Sequence, residues 1–465
     1  MRFHTRDKNI VPSAFIVPTR LTTEPPGPNG FSAISAFIRM RKSRLEFIRM
    51  MADRYGKVSR LSFGGRRLIL VSSKSGVLRV LQQEVSKYKK GLGFAEGTQF
   101  FGEGLVTSEA DAWRLQRGTM NPFFRNSRFG AWGDNIQAEI LRCINSIGER
   151  EASGVALNLE HCIGDFACNI LSCTIMGAPL DSRPLRRALM FVDDYVNKKM
   201  TGILPEPPIA YLHYKKSIRY LEKVTESIIE HNKSVPGSTS LVSHLLSSDQ
   251  SHRLNVHNQT ASFLMAGQDN TTSLISWLLL LLAANPDVQK EFRKNVVGNW
   301  LEAEISPGIV EDQRYACAAL FEAMRLFPPV WAITRQAVMD TEIDGFHVSK
   351  GSEVLLFPFL IHRDSEVWTN PEKFDPSRFL QDKNLSMLSL LARLQKEQMF
   401  LPFGFGPRAC IGFQHALVVS ISVVTALIQS FNVGLPSGSA LPIAIPRLSL
   451  RPHYTARLQF TPVRN

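Results

Sequence analysis

One cysteine near the C-terminal end of the chain stands in a glycine-rich stretch. Residues 401–413 read LPFGFGPRACIGF, in which Cys410 follows Arg408 by two positions. Glycine tolerates backbone angles that other residues avoid, so main-chain N–H groups can converge on the sulfur; the glycines are Gly404, Gly406 and Gly412. The apolar run at residues 416–428 is typical of a buried helix, whose N-terminal end lowers a thiol pKa. The stretch therefore predicts a loop that presents Cys410 as a thiolate.

This loop resembles the cysteine-ligand loop of the cytochrome P-450 superfamily, the haem-thiolate monooxygenases. The shared pattern is Phe403-x-x-Gly406-x-Arg408-x-Cys410-x-Gly412. The resemblance implies that Cys410 is the axial iron ligand of haem b, and that its thiolate favours O–O cleavage. It also implies that Phe403 and Arg408 contact the haem. The alternative is a buried, inert cysteine beside an ordinary glycine turn.

A second pair of segments matches the same family. Glu322 and Arg325 are three residues apart in YACAALFEAMRLFPP, so a helix places them on one face. Alone, such a pair is a surface ion pair of little energetic value. The family joins its Glu-x-x-Arg pair to an arginine from a downstream segment, and here Arg378 in NPEKFDPSRF holds that position. The resemblance implies a buried network that holds the haem-bearing core.

Haem carries two propionates that require cations or indole donors. Trp113 and Arg117 are four residues apart, so a helix presents both on one face. The resemblance implies that both contact a propionate, together with Arg335 and Arg408. Taken alone, Trp113 would be a partly buried aromatic residue.

The oxygen-binding side is predicted in residues 263–272, which read FLMAGQDNTT between apolar flanks typical of a long core helix. Glycine inside a helix costs about 1 kcal/mol relative to alanine, so Gly267 indicates close approach by another group. The resemblance implies that Ala266 and Gly267 leave room over the iron and that Asp269 delivers protons. The family usually has threonine where this chain has Asn270.

Because Asn270 stands where the family usually has threonine, several alternatives remain open for the chemistry of the oxygen-binding side. Its side chain both donates and accepts, so Asn270 can hold a similar hydrogen-bond network. Thr271 could instead turn inward through a helical irregularity, or the substrate could supply a hydroxyl. A last alternative is an enzyme that isomerises a peroxide, although Asp269 argues against it. Another departure is His415, where the family more often has phenylalanine or leucine, and we expect it to pack.

The pattern of apolar residues predicts a mainly α fold with a small β region. Residues 56–72 suit a hairpin and residues 334–357 short strands. Residues 31–55 suit one amphipathic helix, whose apolar face is formed by Phe31, Ile34, Phe37, Ile38, Leu45 and Ile48. The resemblance implies a helix-rich triangular prism that encloses the haem. It also divides the chain into an N-terminal extension with a proline-rich hinge (1–30) and one haem-binding monooxygenase domain (31–465).

The composition of the chain favours some classes of partner molecule and argues against others. The chain has 465 residues and six cysteines without zinc spacing, which favours a reducing compartment over a disulfide framework. The net charge of +13 allows nucleic acid, a membrane surface or an acidic protein, and the absence of a basic run with aromatics argues against nucleic acid. With no visible flavin or iron–sulfur motif, electrons are expected from a separate acidic ferredoxin or flavodoxin. O2 is the expected co-substrate.

The N-terminal residues contain no apolar run of the about 20 residues that span a membrane. We therefore expect a soluble, bacterial-type cytoplasmic enzyme without an integral anchor, with residues 39–50 as a basic contact to a membrane surface. The expected substrate is apolar, with a terpenoid favoured over a fatty acid or steroid. Its expected contacts are Phe100, Phe101, Phe263 and the segment 330–333. Two rivals are a peroxide-using or isomerising haem-thiolate enzyme and a non-catalytic haem sensor.

Overall fold

Helices make up most of the protein, which confirms the predicted mainly α fold with a small β region. The computed structural model describes residues 23–63, 65–94, 97–98, 102–124, 129–151, 156–201, 207–235, 237–249, 251–300 and 304–463. Of the predicted N-terminal extension, only residues 23–30 fall within this part. The described α-helices are α1 (Phe31–Lys42), α2 (Arg44–Tyr55), α3 (Lys74–Leu78), α4 (Ala110–Met120), α5 (Phe129–Glu151), α6 (Leu159–Leu171), α7 (Ser182–Thr201), α8 (Pro208–Ser234), α9 (Leu241–Ser247), α10 (Val256–Ala284), α11 (Pro286–Lys294), α12 (Ile309–Asp312), α13 (Arg314–Leu326), α14 (Pro358–Ile361), α15 (Met387–Lys396) and α16 (Phe413–Ser430).

The strands form small sheets on the helical body. They are β1 (Val58–Phe63), β2 (Arg66–Val71), β3 (Tyr88–Lys90), β4 (Leu157–Asn158), β5 (Ile333–Ala337), β6 (Thr341–Ile343), β7 (Phe346–Val348), β8 (Glu353–Leu356), β9 (Phe431–Gly434), β10 (Ala444–Pro446), β11 (Leu450–Pro452) and β12 (Arg457–Pro462). The largest described sheet has the order β1-β2-β8-β5-β3. Its β1–β2 hairpin was predicted, and Gly65 in the turn has a φ of +77° that favours glycine.

Helices α10, α13 and α16 form the centre of the core. Asn255 caps α10 by accepting the N–H of Asn258 at 3.0 Å, and Pro286 follows its end. The apolar second half of α10 and residues 417–428 of α16 are buried, as predicted. Among the described residues, α16 is long and apolar enough to cross a membrane, and 67% of that stretch is buried inside the protein.

The predicted helix at residues 31–55 is two helices. Ser43 has extended backbone angles (φ −146°, ψ 94°) and separates α1 from α2. The residues that α1 buries are small, Ala33 and Ala36, whereas Phe31 is 91% exposed. The apolar spacing was therefore wrong about the buried face of α1, because a packed helix face also requires side chains that fit the neighbouring surface.

Candidate active site

The cysteine loop is held by backbone hydrogen bonds and two left-handed glycines. The N–H of Cys410 donates to Phe403 O at 2.8 Å. Gly404 and Gly406 have φ of +72° and +75°, and a Cβ on Gly406 would lie 2.0 Å from Leu81 O. Gly412 has an ordinary φ of −93° and is the N-cap residue that precedes α16, so the prediction of special backbone angles was right for two of the three glycines.

The thiol of Cys410 is exposed, in contrast to the five other cysteines. Enough protein still surrounds the sulfur that burial raises the pKa of Cys410, although the Gly412 N–H and Arg117 both act to lower it. The sequence had predicted a lowered thiol pKa, and the correction is that burial outweighs these two groups. A coordinated metal deprotonates a thiol outright, so the raised pKa is compatible with a ligand.

The fully buried Glu322 carboxylate lies at the centre of a network of arginines. Arg325 donates to both of its oxygens, at 2.7 and 2.8 Å, and Arg378 Nε donates to Oε1 at 3.1 Å. Arg325 also donates to the backbone oxygens of His362 and Pro371 at 2.9 and 2.6 Å. The structure thus places the three predicted residues together. A carboxylate held by two guanidiniums is fixed in geometry.

His362 joins this network to the cysteine loop. Its Nε2 accepts the backbone N–H of Leu401 at 2.7 Å, and the N–H of Gly404 in turn donates to Leu401 O at 3.1 Å. Burial and the Arg325 cation lower the pKa of His362 to about 3, so the ring is neutral and can accept. The loop that carries Cys410 therefore rests on the buried arginine network.

Several cationic side chains lie close together where the haem propionates are predicted to bind. Arg408 forms an ion pair with Glu109, and its guanidinium lies 4.8 Å from the centre of the Trp113 ring. The backbone N–H of Lys90 donates to Glu109 Oε1 at 2.7 Å. The Nζ of Lys90 donates to the backbone carbonyls of Leu105 and Ser108. Burial and the neighbouring Arg408 cation lower the pKa of Lys90 to about 7 and that of Arg335 to about 10.

This cluster fits the carboxylates of haem. Among the described residues it brings Lys90, Arg335 and Arg408 around a single carboxylate, Glu109, and Arg117 lies near Cys410. Buried charges require partners, and two propionates would supply the missing anions. The sequence predicted Trp113 and the three arginines here. It missed Lys90 and Glu109, because neither has a spacing that indicates a haem contact.

On the oxygen side, Ala266 and Gly267 face different neighbours. Ala266 lines the central cavity. A Cβ on Gly267 would lie 2.7 Å from Leu171 Cδ1, so this glycine allows α10 to pack closely against α6. The prediction that both residues leave room over the iron is therefore corrected for Gly267, whose small size is required by helix packing.

Asp269 borders two cavities. It lines the central cavity and also a smaller polar cavity of about 30 Å³, which is large enough for water. Its carboxylate forms an ion pair with Arg451 and accepts a hydrogen bond from Ser449. Arg451 also lies 3.8 Å from Asp193 Oδ2, and burial raises the pKa of Asp193 to about 6. The sequence missed Arg451 and Asp193, which belong to no recognisable motif.

Asn270 lines the central cavity, whereas Thr271 lies outside its lining. Asn270 Nδ2 donates to Ala266 O at 3.2 Å, and Thr271 Oγ1 donates to Gly267 O at 3.0 Å. The helix is regular through this stretch, with no bulge that would turn Thr271 inward. The alternative in which Thr271 replaces the missing threonine by a helical irregularity is therefore not supported.

The central cavity has a volume of about 390 Å³ and a largely apolar wall. The predicted contacts Val330, Trp331, Ala332 and Ile333 line it. Phe263 instead stacks on Phe124, with 5.7 Å between ring centres, and Phe100 and Phe101 lie outside the described residues. A cavity of this size and polarity suits a small apolar molecule.

His415 packs in the core behind the cysteine loop. Its ring lies edge-on to Trp132 with 5.5 Å between centres, and Nε2 is 3.1 Å from Thr174 Oγ1. Burial lowers the pKa of His415 to about 4, so the ring is neutral. The position of His415 agrees with the expectation that its side chain packs against neighbouring residues.

Comparison with known proteins agrees with this geometry. A family profile described as Cytochrome P450 matches residues 25–460. The chain is 24% identical over 455 residues to Cytochrome P450 3A31 of Mesocricetus auratus, covering 91% of this chain and 88% of that protein. It is 26% identical over 368 residues to Cytochrome P450 4V2 of Homo sapiens, covering 71% and 68% of the two chains. It is 25% identical over 416 residues to the chloroplastic carotene epsilon-monooxygenase of Arabidopsis thaliana, covering 82% and 76%. The chain therefore belongs to the cytochrome P450 family of haem-binding monooxygenases.

Proposed function

We propose that this protein hydroxylates an apolar substrate with O2, and that the Cys410 thiolate would hold the haem iron. The observation that carries the proposal is the accessible Cys410 thiol on a loop tied to the buried Glu322 network and set beside a cluster of cations. Bound haem supplies the oxygen activation and electron transfer that no amino-acid side chain provides. Phe403, Trp113 and the cations near Glu109 would hold it in place.

The protein residues of the oxygen side would move protons and exclude water. Asp269 borders both the polar cavity and the central cavity, so its carboxylate can take a proton from one side and pass it to the other. Asn270, which faces the central cavity one residue later, would hold the accepting water or substrate group by its amide. The proposal gives Thr271 no direct role, since its hydroxyl bonds to Gly267 O.

The finer predictions about substrate, donor and location are part of this proposal. An apolar cavity wall supports a terpenoid substrate, as does the similarity to a relative named carotene epsilon-monooxygenase. The net charge of +13 supports a separate acidic ferredoxin or flavodoxin as electron donor. The prediction of a soluble bacterial, cytoplasmic type stays a prediction, because the relatives above are animal and plant proteins.

A peripheral membrane contact is the other prediction about location. Phe31, Ile34 and Ile38 are exposed on α1, and Arg39 and Arg41 follow them along the same helix. Exposed apolar residues next to basic ones suit the interface of an anionic membrane. Binding of the full chain to anionic but not neutral vesicles, reduced by Ile34→Ser, tests this contact.

The reduced carbon-monoxide difference spectrum tests the ligand. We expect a thiolate-ligated Soret band in the wild type, its loss in Cys410→Ser, and its retention in Cys173→Ser, which changes another cysteine that is not fully buried. A band that survives in Cys410→Ser would contradict the assignment. Product formation with peroxide alone, without reductant and O2, would favour a peroxide-using enzyme instead.

The oxygen side is tested by coupling, the product formed per electron consumed. Asp269→Asn keeps the size of the side chain but removes the charge, so we expect coupling to fall about tenfold or more. Thr260→Val is the matched control, because Thr260 lies on the same helix and its hydroxyl bonds to Val256 O. Unchanged coupling in Asp269→Asn would remove this residue from proton delivery.

A further inference from the structure

Two carboxylates from different helices lie against one guanidinium beside the central cavity. Asp269 on α10 forms an ion pair with Arg451 Nη2, and Asp193 on α7 has its Oδ2 3.8 Å from the same Nη2. Ser449 Oγ donates to Asp269 and accepts from Arg451 Nε at 3.4 Å, which holds the guanidinium against Asp269. Arg451 is therefore shared between Asp269, which lines the cavity, and Asp193, which is not part of the described lining.

Asp193 is a buried carboxylate with one incompletely satisfied oxygen. Its side chain is 2% exposed. Oδ1 accepts the backbone N–H of Leu448 at 3.2 Å, whereas Oδ2 accepts no hydrogen bond from the described residues. Arg447 Nη1 and Arg451 Nη2 lie 3.9 and 3.8 Å from Oδ2. Burial disfavours the charged form of such a group and raises the pKa of Asp193 to about 6.

The charged and titratable groups around this pair of carboxylates come from several elements. Besides Arg451, they are Arg44 of α2, Asp194 of α7, Arg447 of the segment before β11, and Glu160, Arg186 and His453 around the polar cavity. Arg447 pairs with Asp194 at 3.2 Å. Among the described side chains, Arg451 alone forms ion pairs with both Asp193 and Asp269.

One guanidinium cannot pair fully with two carboxylates at once. When Asp193 carries a proton, Arg451 pairs with Asp269 alone. When Asp193 loses this proton to solvent, its charge attracts Arg451 as well, and the ion pair with Asp269 weakens. We propose that Asp193 is a positioning residue of the oxygen side, which acts through Arg451 to control how strongly the Asp269 carboxylate is held. This inference rests on the proposed function and adds a residue to its proton delivery.

The contact with Leu448 suggests a purely structural role as the rival explanation. Leu448 lines the central cavity, so Asp193 could serve only to hold this part of the wall. Asp193→Asn separates the two roles, because asparagine keeps an acceptor oxygen for the Leu448 N–H but removes the charge that attracts Arg451. Asp194→Asn is the matched control, since Asp194 is the next residue on α7 and pairs with Arg447 but not with Arg451.

Infrared titration of the haem-loaded protein, with 13C-labelled aspartate, measures the protonation of Asp193 without turnover. We expect a protonated-carboxyl band that is lost as pH rises through about 6, is absent in Asp193→Asn and is unchanged in Asp194→Asn. In Asp269→Asn, Arg451 is left to Asp193 alone, so the midpoint of this band should fall by about one pH unit. An unchanged midpoint in Asp269→Asn overturns the inference.

The pH dependence of coupling shows whether this sharing affects proton delivery. The substrate probe is β-ionone, and the electron donor is a plant-type ferredoxin with its NADPH-dependent reductase. Coupling in the wild type and in Asp194→Asn should rise about threefold as pH increases through 6, because Asp269 is then held less strongly. The rise should be absent in Asp193→Asn. A rise of the same size in Asp193→Asn would leave Asp193 with the structural role alone and would overturn the inference.

The two proposals fail separately. A wild type without the thiolate band in the carbon-monoxide spectrum would overturn the proposed function. A wild type with that band, but with an Asp193 titration that does not respond to Asp269→Asn, would overturn only the inference about Asp193. The infrared comparison of wild type with Asp269→Asn requires no substrate and no substitution at Asp193. The inference is therefore tested even if Asp193→Asn does not fold.

Discussion

The two sides of the candidate haem site are built differently. On the cysteine side, Glu322 and Arg325 are fully buried, and both oxygens of the carboxylate are bonded within the protein. On the oxygen side, Asp269 and Asn270 line an open cavity. Every polar group in a buried network must find its hydrogen-bond partner within the protein, so few combinations of residues fit. The residues of this network therefore follow the family pattern. The residues that line a ligand cavity can differ between proteins that bind different ligands. Asn270, which departs from the family's usual threonine, is one of these lining residues.

The largest expected effect is on the cysteine side. Glu322→Ala removes the carboxylate and leaves the buried guanidinium of Arg325 uncompensated, so we expect a loss of about 3–5 kcal/mol in the free energy of unfolding. Denaturant unfolding and soluble yield measure this loss. Glu230→Ala removes an exposed partner of Lys233 and should cost at most about 0.5 kcal/mol. Similar losses in the two variants would contradict the contrast between buried and exposed pairs.

The cysteine loop offers a sharper pair of variants. In Gly406→Ala, the new Cβ would lie 2.0 Å from Leu81 O at a φ of +75°, so the backbone must shift. In Gly412→Ala, the nearest described atom is Phe124 Cε1 at 3.7 Å, an ordinary contact. We expect a loss of about 2–4 kcal/mol for the first and less than about 1 kcal/mol for the second. Haem retention and unfolding curves measure both, and equal losses would contradict the assigned role of Gly406.

The contributions of the two sides to the free energy of unfolding should change with pH in opposite directions. His362 has a pKa of about 3 against an ordinary 6.5, so its contribution to stability is lost as pH falls from 6.5 towards 3. Asp193 has a pKa of about 6 against an ordinary 3.8, so its contribution is present below 3.8 and is lost as pH rises through 6. Each full pKa shift corresponds to a change in the free energy of unfolding on the order of 3–5 kcal/mol.

Variants isolate these two contributions. The stability difference between wild type and His362→Gln should fall with decreasing pH, and that between wild type and Asp193→Asn should fall with increasing pH. Denaturant unfolding between pH 4 and pH 7, about the range that these pKa values span, measures both differences. Differences that change in the same direction would show that the two sides do not differ in this way.

The sequence predicted the residues whose roles depend on fixed spacing. The helical pair Glu322 and Arg325, the loop around Cys410 and the β1–β2 hairpin all have local patterns, and the structure places them as expected. The contacts of Asp269 were not predictable, because Arg451 lies 182 positions later and no short-range pattern connects the two. The burial of α1 was predicted on the wrong face, since periodicity does not report the shape of the partner surface.

The smallest expected effect concerns α4, which carries Trp113 and Arg117 to the haem side. Ala110, at the start of this helix, has a φ of +47°, where an alanine Cβ is strained. Ala110→Gly should therefore stabilise the protein by about 0.5–1 kcal/mol. Ala112→Gly, at an exposed position inside the same helix, should destabilise it by about 1 kcal/mol. Thermal unfolding measures both, and two changes of the same sign would show that Ala110 carries no strain. Opposite signs would instead mean that strain persists at the start of the helix that positions Trp113 and Arg117.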